Sequence, residues 1–169
     1  MRRLFLGFQV NPKQLPTLLE LQQQLSHQSM QPVPAANLHL TLAFLGQTSD
    51  EQLTALLNHI PHWHKPSFTL ELAEVVHWPK PKILALATEQ VPTPLQALYQ
   101  QGQTLAQQLG LHQNEHQFRP HITLFRKAKS LTSDDTFTLS LAPKQLHLFE
   151  SLSTDNGVQY PILQSWDLL

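Results

Sequence analysis

Two stretches, NLHLTL at positions 37–42 and RPHITL at positions 119–124, repeat a histidine, an aliphatic residue, a threonine and a leucine half a chain length apart. On a strand, side chains alternate with period two. His39 and Thr41 therefore share one face, and Leu38, Leu40 and Leu42 share the other. His121 and Thr123 stand in the same relation to Ile122 and Leu124. The apolar face buries each strand on a core, so two such strands side by side would line a groove with two imidazoles and two hydroxyls. The spacing predicts two lobes related by a pseudo-twofold axis. One H-x-T triplet alone reads as an ordinary packed or exposed histidine; it is the second copy, in the same strand context, that marks a candidate site.

The segments around the repeats supply the rest of the architecture. In RLFLGFQV, Leu4, Leu6 and Phe8 fall on one face of a strand. Asn11 then offers an N-cap and Pro12 a first helical residue, for a helix running to about His27. Its buried side is expected at Leu15, Leu18, Leu19, Leu21 and Leu25, with the glutamines of LQQQL on a solvated face. The first motif strand should run from Leu38 to Leu45 and end at Gly46. A second helix is expected from about Asp50 to Ile60, opened by a capping box of Thr48 with Glu51 or Ser49 with Gln52. FTLELAEVVHW and KILALATE read as strands reversed by Pro-Lys-Pro. Thr93 and Pro94 open a third helix that Gly110 ends. The second motif strand, Arg119 to Phe125, and the late strands in KQLHLFESLS and VQYPILQSW complete an α+β chain of mainly antiparallel sheet. No linker rich in Gly or Ser divides it, so residues 1–169 are expected to form a single domain.

Charge and composition narrow the function. Eleven basic and twelve acidic side chains leave a net charge of −1, so no global positive field draws in long nucleic acid, and any recognition of phosphate must be local. The absence of cysteine excludes disulfides, thiolate nucleophiles and cysteine-ligated metals. The apolar opening is cut by Gln9, Asn11, Pro12 and Lys13 and reads as a strand, not a signal peptide; a cytoplasmic protein is the expectation.

Two facing imidazoles suit in-line displacement at a phosphodiester. That reaction needs a base on the attacking oxygen and an acid on the leaving oxygen, on opposite sides of phosphorus. Histidine, with an ordinary pKa near 6.5, can serve as either around neutral pH. Thr41 and Thr123 could hydrogen-bond the non-bridging oxygens, and a cation would stabilise their charge. Arg126 is the nearest candidate. Strict alternation from His121 puts it on the wrong face, so a bulge or a strand end near Phe125 is required.

The pattern resembles the two-histidine phosphoesterases, the bacterial and archaeal RNA 2′,3′-cyclic phosphodiesterases also known as 2′-5′ RNA ligase-like or LigT-like proteins. The resemblance rests on NLHLTLAFLG with RPHITLFRKA, and extends to the opening RLFLGFQV and the closing LFESLSTDNGVQYPILQSW. It implies a bilobal fold of duplicated antiparallel sheets with flanking helices, and His39, Thr41, His121 and Thr123 meeting in a central cleft. It further implies hydrolysis of a ribose 2′,3′-cyclic phosphate to a 2′-phosphate without metal or other cofactor, with reversible 2′-5′ joining of RNA ends in some members. Carried over, His39 would protonate the departing O3′ and His121 would activate water, an order that could be exchanged. Thr41, Thr123 and Arg126 would bind the phosphate; Arg119, where members often have another residue before the proline, either adds positive potential or lies on the surface, and the surface is the expectation. Phe44, Trp78 or Phe125 could stack a base, although a place in the core is the expectation for each. The partner implied is an RNA end or nucleotide bearing the cyclic phosphate, with no membrane, no obligatory protein partner, and a monomer expected.

The remaining histidines do not spell a metal site. HQNEH lacks the glutamate directly after its first histidine, and HIPHWH is broken by Pro61. His27, His77 and His147 stand isolated. The rival readings are a non-catalytic binder of RNA ends and a phosphodiesterase of small cyclic nucleotides. Retention of both histidines favours catalysis, since binding alone would tolerate arginine or glutamine there.

Overall fold

Leu4, Leu6 and Phe8 are fully buried, and the strand they define, β1 (Arg2–Gln9), lies near the middle of an eight-stranded sheet. The computed structural model describes residues 1–26, 29–130 and 137–169. In chain order there follow α1 (Leu15–Leu25), β2 (Gln31–Pro32), β3 (His39–Thr48), α2 (Asp50–His59), β4 (Leu70–Leu72), β5 (Glu74–Trp78) and β6 (Ile83–Ala87). Then come α3 (Thr93–Leu109), β7 (His121–Arg126), β8 (Leu139–Leu141), β9 (Gln145–Glu150), β10 (Leu152–Thr154), β11 (Gly157–Gln159) and β12 (Ile162–Asp167).

The large sheet runs β12-β9-β1-β3-β7-β6-β5, with β2 added on β7, and every pairing is antiparallel. The first motif strand, β3, belongs to one lobe and the second, β7, to the other. They join at one residue pair, Leu40 opposite Ile122. The α+β, bilobal architecture expected from the duplication is present, with the motif strands at its seam. Helices cross that seam: Gly102 of α3 packs on Ala43 of β3, and α1 reaches β7 through Gln22.

Both motif strands bulge at the leucine after the threonine. Gly7 faces Thr41 and Leu6 faces Ala43, leaving Leu42 unmatched; Ala85 faces Thr123 and Leu84 faces Phe125, leaving Leu124 unmatched. The extra residue flips the alternation. Ala43 and Phe125 consequently join the core, while Phe44 and Arg126 emerge exposed. The first bulge needs a glycine beside it, because a Cβ on Gly7 would lie 2.5 Å from the Leu40 carbonyl oxygen. The second is pinned from α1, where the buried Gln22 amide donates to the Leu124 and Val33 carbonyls at 2.9 and 3.0 Å.

That role of Gln22 corrects the expectation that all the glutamines of LQQQL are solvated: its buried amide ties the Val33 carbonyl to the Leu124 carbonyl, which also accepts from the Val33 amide at 2.9 Å. Leu19, expected on the buried side, is 37% exposed. The helix begins at Leu15, with Gln14 at its N-cap, because Asn11 instead closes a turn that accepts the Lys13 and Gln14 amides. Its expected end at His27 lies outside the described residues. The strand expected to stop at Gly46 continues to Thr48, since Gly46 takes a φ of +74° and bends it without ending it. Ser49 and Gln52, rather than Thr48 and Glu51, form the capping box of α2, and Gly110 closes α3 as anticipated. FTLELAEVVHW divides into β4, which pairs with β8, and β5, which pairs with β6.

Candidate active site

The two histidines are oriented alike by backbone two residues upstream. The Nδ1–H of His39 donates to the Asn37 carbonyl at 2.7 Å, and that of His121 to the Arg119 carbonyl at 2.8 Å. A carbonyl only accepts, so each ring is fixed with its proton on Nδ1, and the neutral ring offers its lone pair at Nε2. At His39 this nitrogen accepts from the Thr41 hydroxyl at 2.9 Å. Thr123 occupies the matching place on β7.

Both rings are half-buried and held below histidine's ordinary pKa. Burial is the main cause at each. At His39 the bond to Asn37 opposes it by favouring the charged ring, while the positive charges of His121 and Arg126 push further down. At His121 the bond to Arg119 likewise opposes burial, and the Arg119 charge adds to the lowering. The charge of His121 thus reaches His39 across the seam. Arg126, five residues beyond His121 on its own strand, acts on His39 of the other lobe.

An aromatic wall stands behind each ring. Phe5 and Tyr160 lie 5.0 and 5.1 Å from His39, with Tyr160 edge-on. Trp78 lies 4.6 Å from His121, also edge-on, and the Arg119 guanidinium covers its face at 4.7 Å. Small residues at Gly7 and Ala85 occupy the equivalent strand positions beside Thr41 and Thr123.

Known proteins resemble this chain in sequence and in fold. The pattern of the family described as LigT like Phosphoesterase matches residues 9–85, which include the first motif. The RNA 2′,3′-cyclic phosphodiesterase of Escherichia coli (strain K12) is 34% identical over 139 residues, 81% of this chain and 79% of that protein. The chain belongs to the LigT-like family of two-histidine phosphoesterases. Among solved structures, E. coli LigT complexed with 3′-AMP superposes with a TM-score of 0.92 at 30% identity, covering 99% of this chain and 98% of that one. E. coli LigT complexed with phosphate gives 0.87 at 28%, covering 99% and 97%.

In this LigT-like chain, then, His39, Thr41, His121 and Thr123 lie on adjacent strands, and the bulge at Leu124 resolves the difficulty with Arg126. A cavity of about 180 Å³, lined in part by Asn37, Arg126, Asn156 and Tyr160, adjoins His39. Of the aromatic residues weighed for base stacking, Phe125 is fully buried and is core, because it follows the bulge. Trp78 backs His121, and Phe44 is exposed between Arg3 and His112. Arg119 is exposed as expected, yet it also covers Trp78 and influences His121.

Two histidines read as isolated have structural partners. His147 is buried and bonded to Ser165, and burial lowers its pKa; His77 Nε2 donates to the Ala128 carbonyl at 2.9 Å. Tyr160 and Gln22 escaped sequence reasoning. The aromatic residue is remote from both motifs, and the amide sits in a run whose other members face solvent. Among the described residues, no three His, Asp or Glu side chains group to hold a metal ion, and no helix is long and apolar enough to cross a membrane.

Proposed function

We propose that this protein hydrolyses the 2′,3′-cyclic phosphate at an RNA end to a 2′-phosphate, using its two histidines as acid and base without a metal ion. The observation that carries this reading is the matched pair of imidazoles, each with Nδ1 committed to a backbone carbonyl and Nε2 turned away from it, at His39 towards the Thr41 hydroxyl that substrate would displace. Water attacks phosphorus while one Nε2 takes its proton. The bond from phosphorus to O3′ breaks, and the other ring, protonated, supplies a proton to O3′. The products are a 3′-hydroxyl and a 2′-phosphate monoester. The order carried over from the family gives His39 to the leaving oxygen and His121 to water. Thr41 and Thr123 bind the non-bridging oxygens, and Arg126 stabilises their charge. With an RNA 5′-hydroxyl in place of water, the same forward displacement of O3′ would join ends 2′-5′, and its reverse would cleave that linkage back to the cyclic phosphate and the 5′-hydroxyl. Both motifs come from one chain, which supports a monomer. The relatives named above support the substrate: one is an RNA 2′,3′-cyclic phosphodiesterase, and another is complexed with 3′-AMP.

The test is to incubate the protein, with chelator present, with each nucleoside 2′,3′-cyclic phosphate and identify the product. Accumulation of the nucleoside 2′-phosphate is expected. A 3′-phosphate product, or no turnover, would overturn the reading.

A further inference from the structure

The net charge of −1 conceals a strong segregation. Residues 75–88 and 116–130, which contain nearly all of β5 and the whole of β6 and β7, hold six of the eleven Lys and Arg and none of the twelve Asp and Glu. The six are Lys80, Lys82, Arg119, Arg126, Lys127 and Lys129, all of them exposed. Among the described residues the ion pair present is Arg2 with Glu150, in the other lobe. The four lysines therefore have no carboxylate partner there.

These lysines do not sit on independent loops. Lys82, in the β5–β6 turn, and Lys127, just past β7, are the two non-glycine residues with positive φ among those described, at 55° and 56°. The Ala128 amide donates to the Lys82 carbonyl at 2.8 Å, and His77 Nε2 holds the Ala128 carbonyl. One backbone clamp thus joins the two turns into a single basic rim at the end of β7, where Lys127 directly follows Arg126 in the chain. This gives His77 its purpose.

We propose that this rim binds the backbone phosphates of single-stranded RNA upstream of the terminal cyclic phosphate, making an RNA strand the preferred substrate over a mononucleotide. The inference rests on the reading in "Proposed function". A nucleoside 2′,3′-cyclic phosphate carries one phosphorus, and the histidines, threonines and Arg126 engage it. Lys127 stands just past the end of β7, four residues beyond Thr123 and at most about 14 Å from it, and the rim there meets charge on the further phosphates of a strand that a mononucleotide lacks. Lysines set in a turn suit a flexible polyanion, which they meet as point charges.

The experiment compares the wild-type protein with a variant in which Lys80, Lys82, Lys127 and Lys129 are each changed to Gln. Two readouts are taken: kcat/KM on cytidine 2′,3′-cyclic phosphate and on an oligoribonucleotide ending in the same group, and anisotropy of a labelled oligoribonucleotide ending in a 3′-hydroxyl. The wild type should favour the oligonucleotide. The variant should keep mononucleotide kinetics, which also verifies its fold, and lose about tenfold on the oligonucleotide, each exposed ion pair being worth roughly a factor of two. Its binding should show a salt slope shallower by about 0.7 per contact removed. Unchanged oligonucleotide preference and binding in the variant would overturn the rim while leaving the catalytic reading intact. Lysine-dependent RNA binding without any hydrolysis would do the reverse. Equal competition by polyglutamate or by anionic lipid vesicles would also overturn the assignment to RNA.

Discussion

The two copies of the motif share a backbone and differ in what surrounds it. Each presents H-x-T on one face, fixes its histidine through the carbonyl two residues upstream, and bulges at the following leucine. Two residues after that leucine the copies part: β3 exposes Phe44 and β7 exposes Arg126. The surroundings differ as well, with Phe5 and Tyr160 beside His39 but Trp78 capped by Arg119 beside His121. Under the proposed reaction, duplication supplies paired proton-transfer groups, which an in-line displacement needs in matched positions. In that reaction the charge to be stabilised resides on one phosphoryl group, and Arg119, the other guanidinium near the rings, is taken up by the face of Trp78. One arginine is enough, and the equivalent place is free to hold an aromatic ring.

Removing either histidine breaks the pair and should have the largest effect. His39→Ala and His121→Ala are each expected to lower kcat by roughly 10³-fold with the fold retained, the scale of one proton transfer. An aryl phosphodiester, whose leaving group needs no proton, sharpens the comparison. It should restore turnover to His39→Ala and not to His121→Ala; the opposite pattern would exchange the two roles, and near-normal turnover in either variant would refute both.

Arg126→Gln is expected to cost about 10²-fold in kcat, as for loss of one charge-stabilising group. The same change removes a cation from beside His39, so an NMR titration should find the His39 pKa raised. An unmoved His39 would mean that Arg126 does not act across the seam. Thr41→Ala and Thr123→Ala should be the mildest, about fivefold each, in line with a neutral hydrogen bond. If one threonine variant were as damaging as a histidine variant, the roles assigned here would have to be redrawn.

Much of this frame was legible where side-chain chemistry and periodicity coincide. Leu4, Leu6 and Phe8 mark a buried strand face, Ser49 with Gln52 a capping box, and Gly110 a helix end. The histidines and threonines were legible because their repetition is visible without any structure. The means by which Arg126 reaches the site was only half legible. Leu124 and Phe125, two apolar residues in succession within an alternating strand, hint at a bulge, but the amide that pins it comes from Gln22, a hundred residues earlier. The carbonyls that orient the imidazoles leave no mark in the sequence, since every residue carries one. Tyr160 could be placed beside His39 only once the path of β11 and β12 was known. Gln22→Leu tests this hidden support: losing the two buried hydrogen bonds from its amide to the Val33 and Leu124 carbonyls should destabilise the fold by about 1–3 kcal/mol in denaturant unfolding, and an unchanged midpoint would count against it.

The central claim is that two coupled imidazoles serve one phosphorus, and the pH dependence of kcat/KM on a nucleoside 2′,3′-cyclic phosphate tests it most directly. Burial and neighbouring positive charge lower both pKa values, so the form with one ring protonated and one neutral is most populated below histidine's ordinary value of about 6.5. The predicted profile is a bell with its maximum on the acid side of that value, reduced to a single limb at residual activity in each histidine variant. A profile that rises or falls monotonically in the wild-type protein, or peaks on the alkaline side, would contradict it.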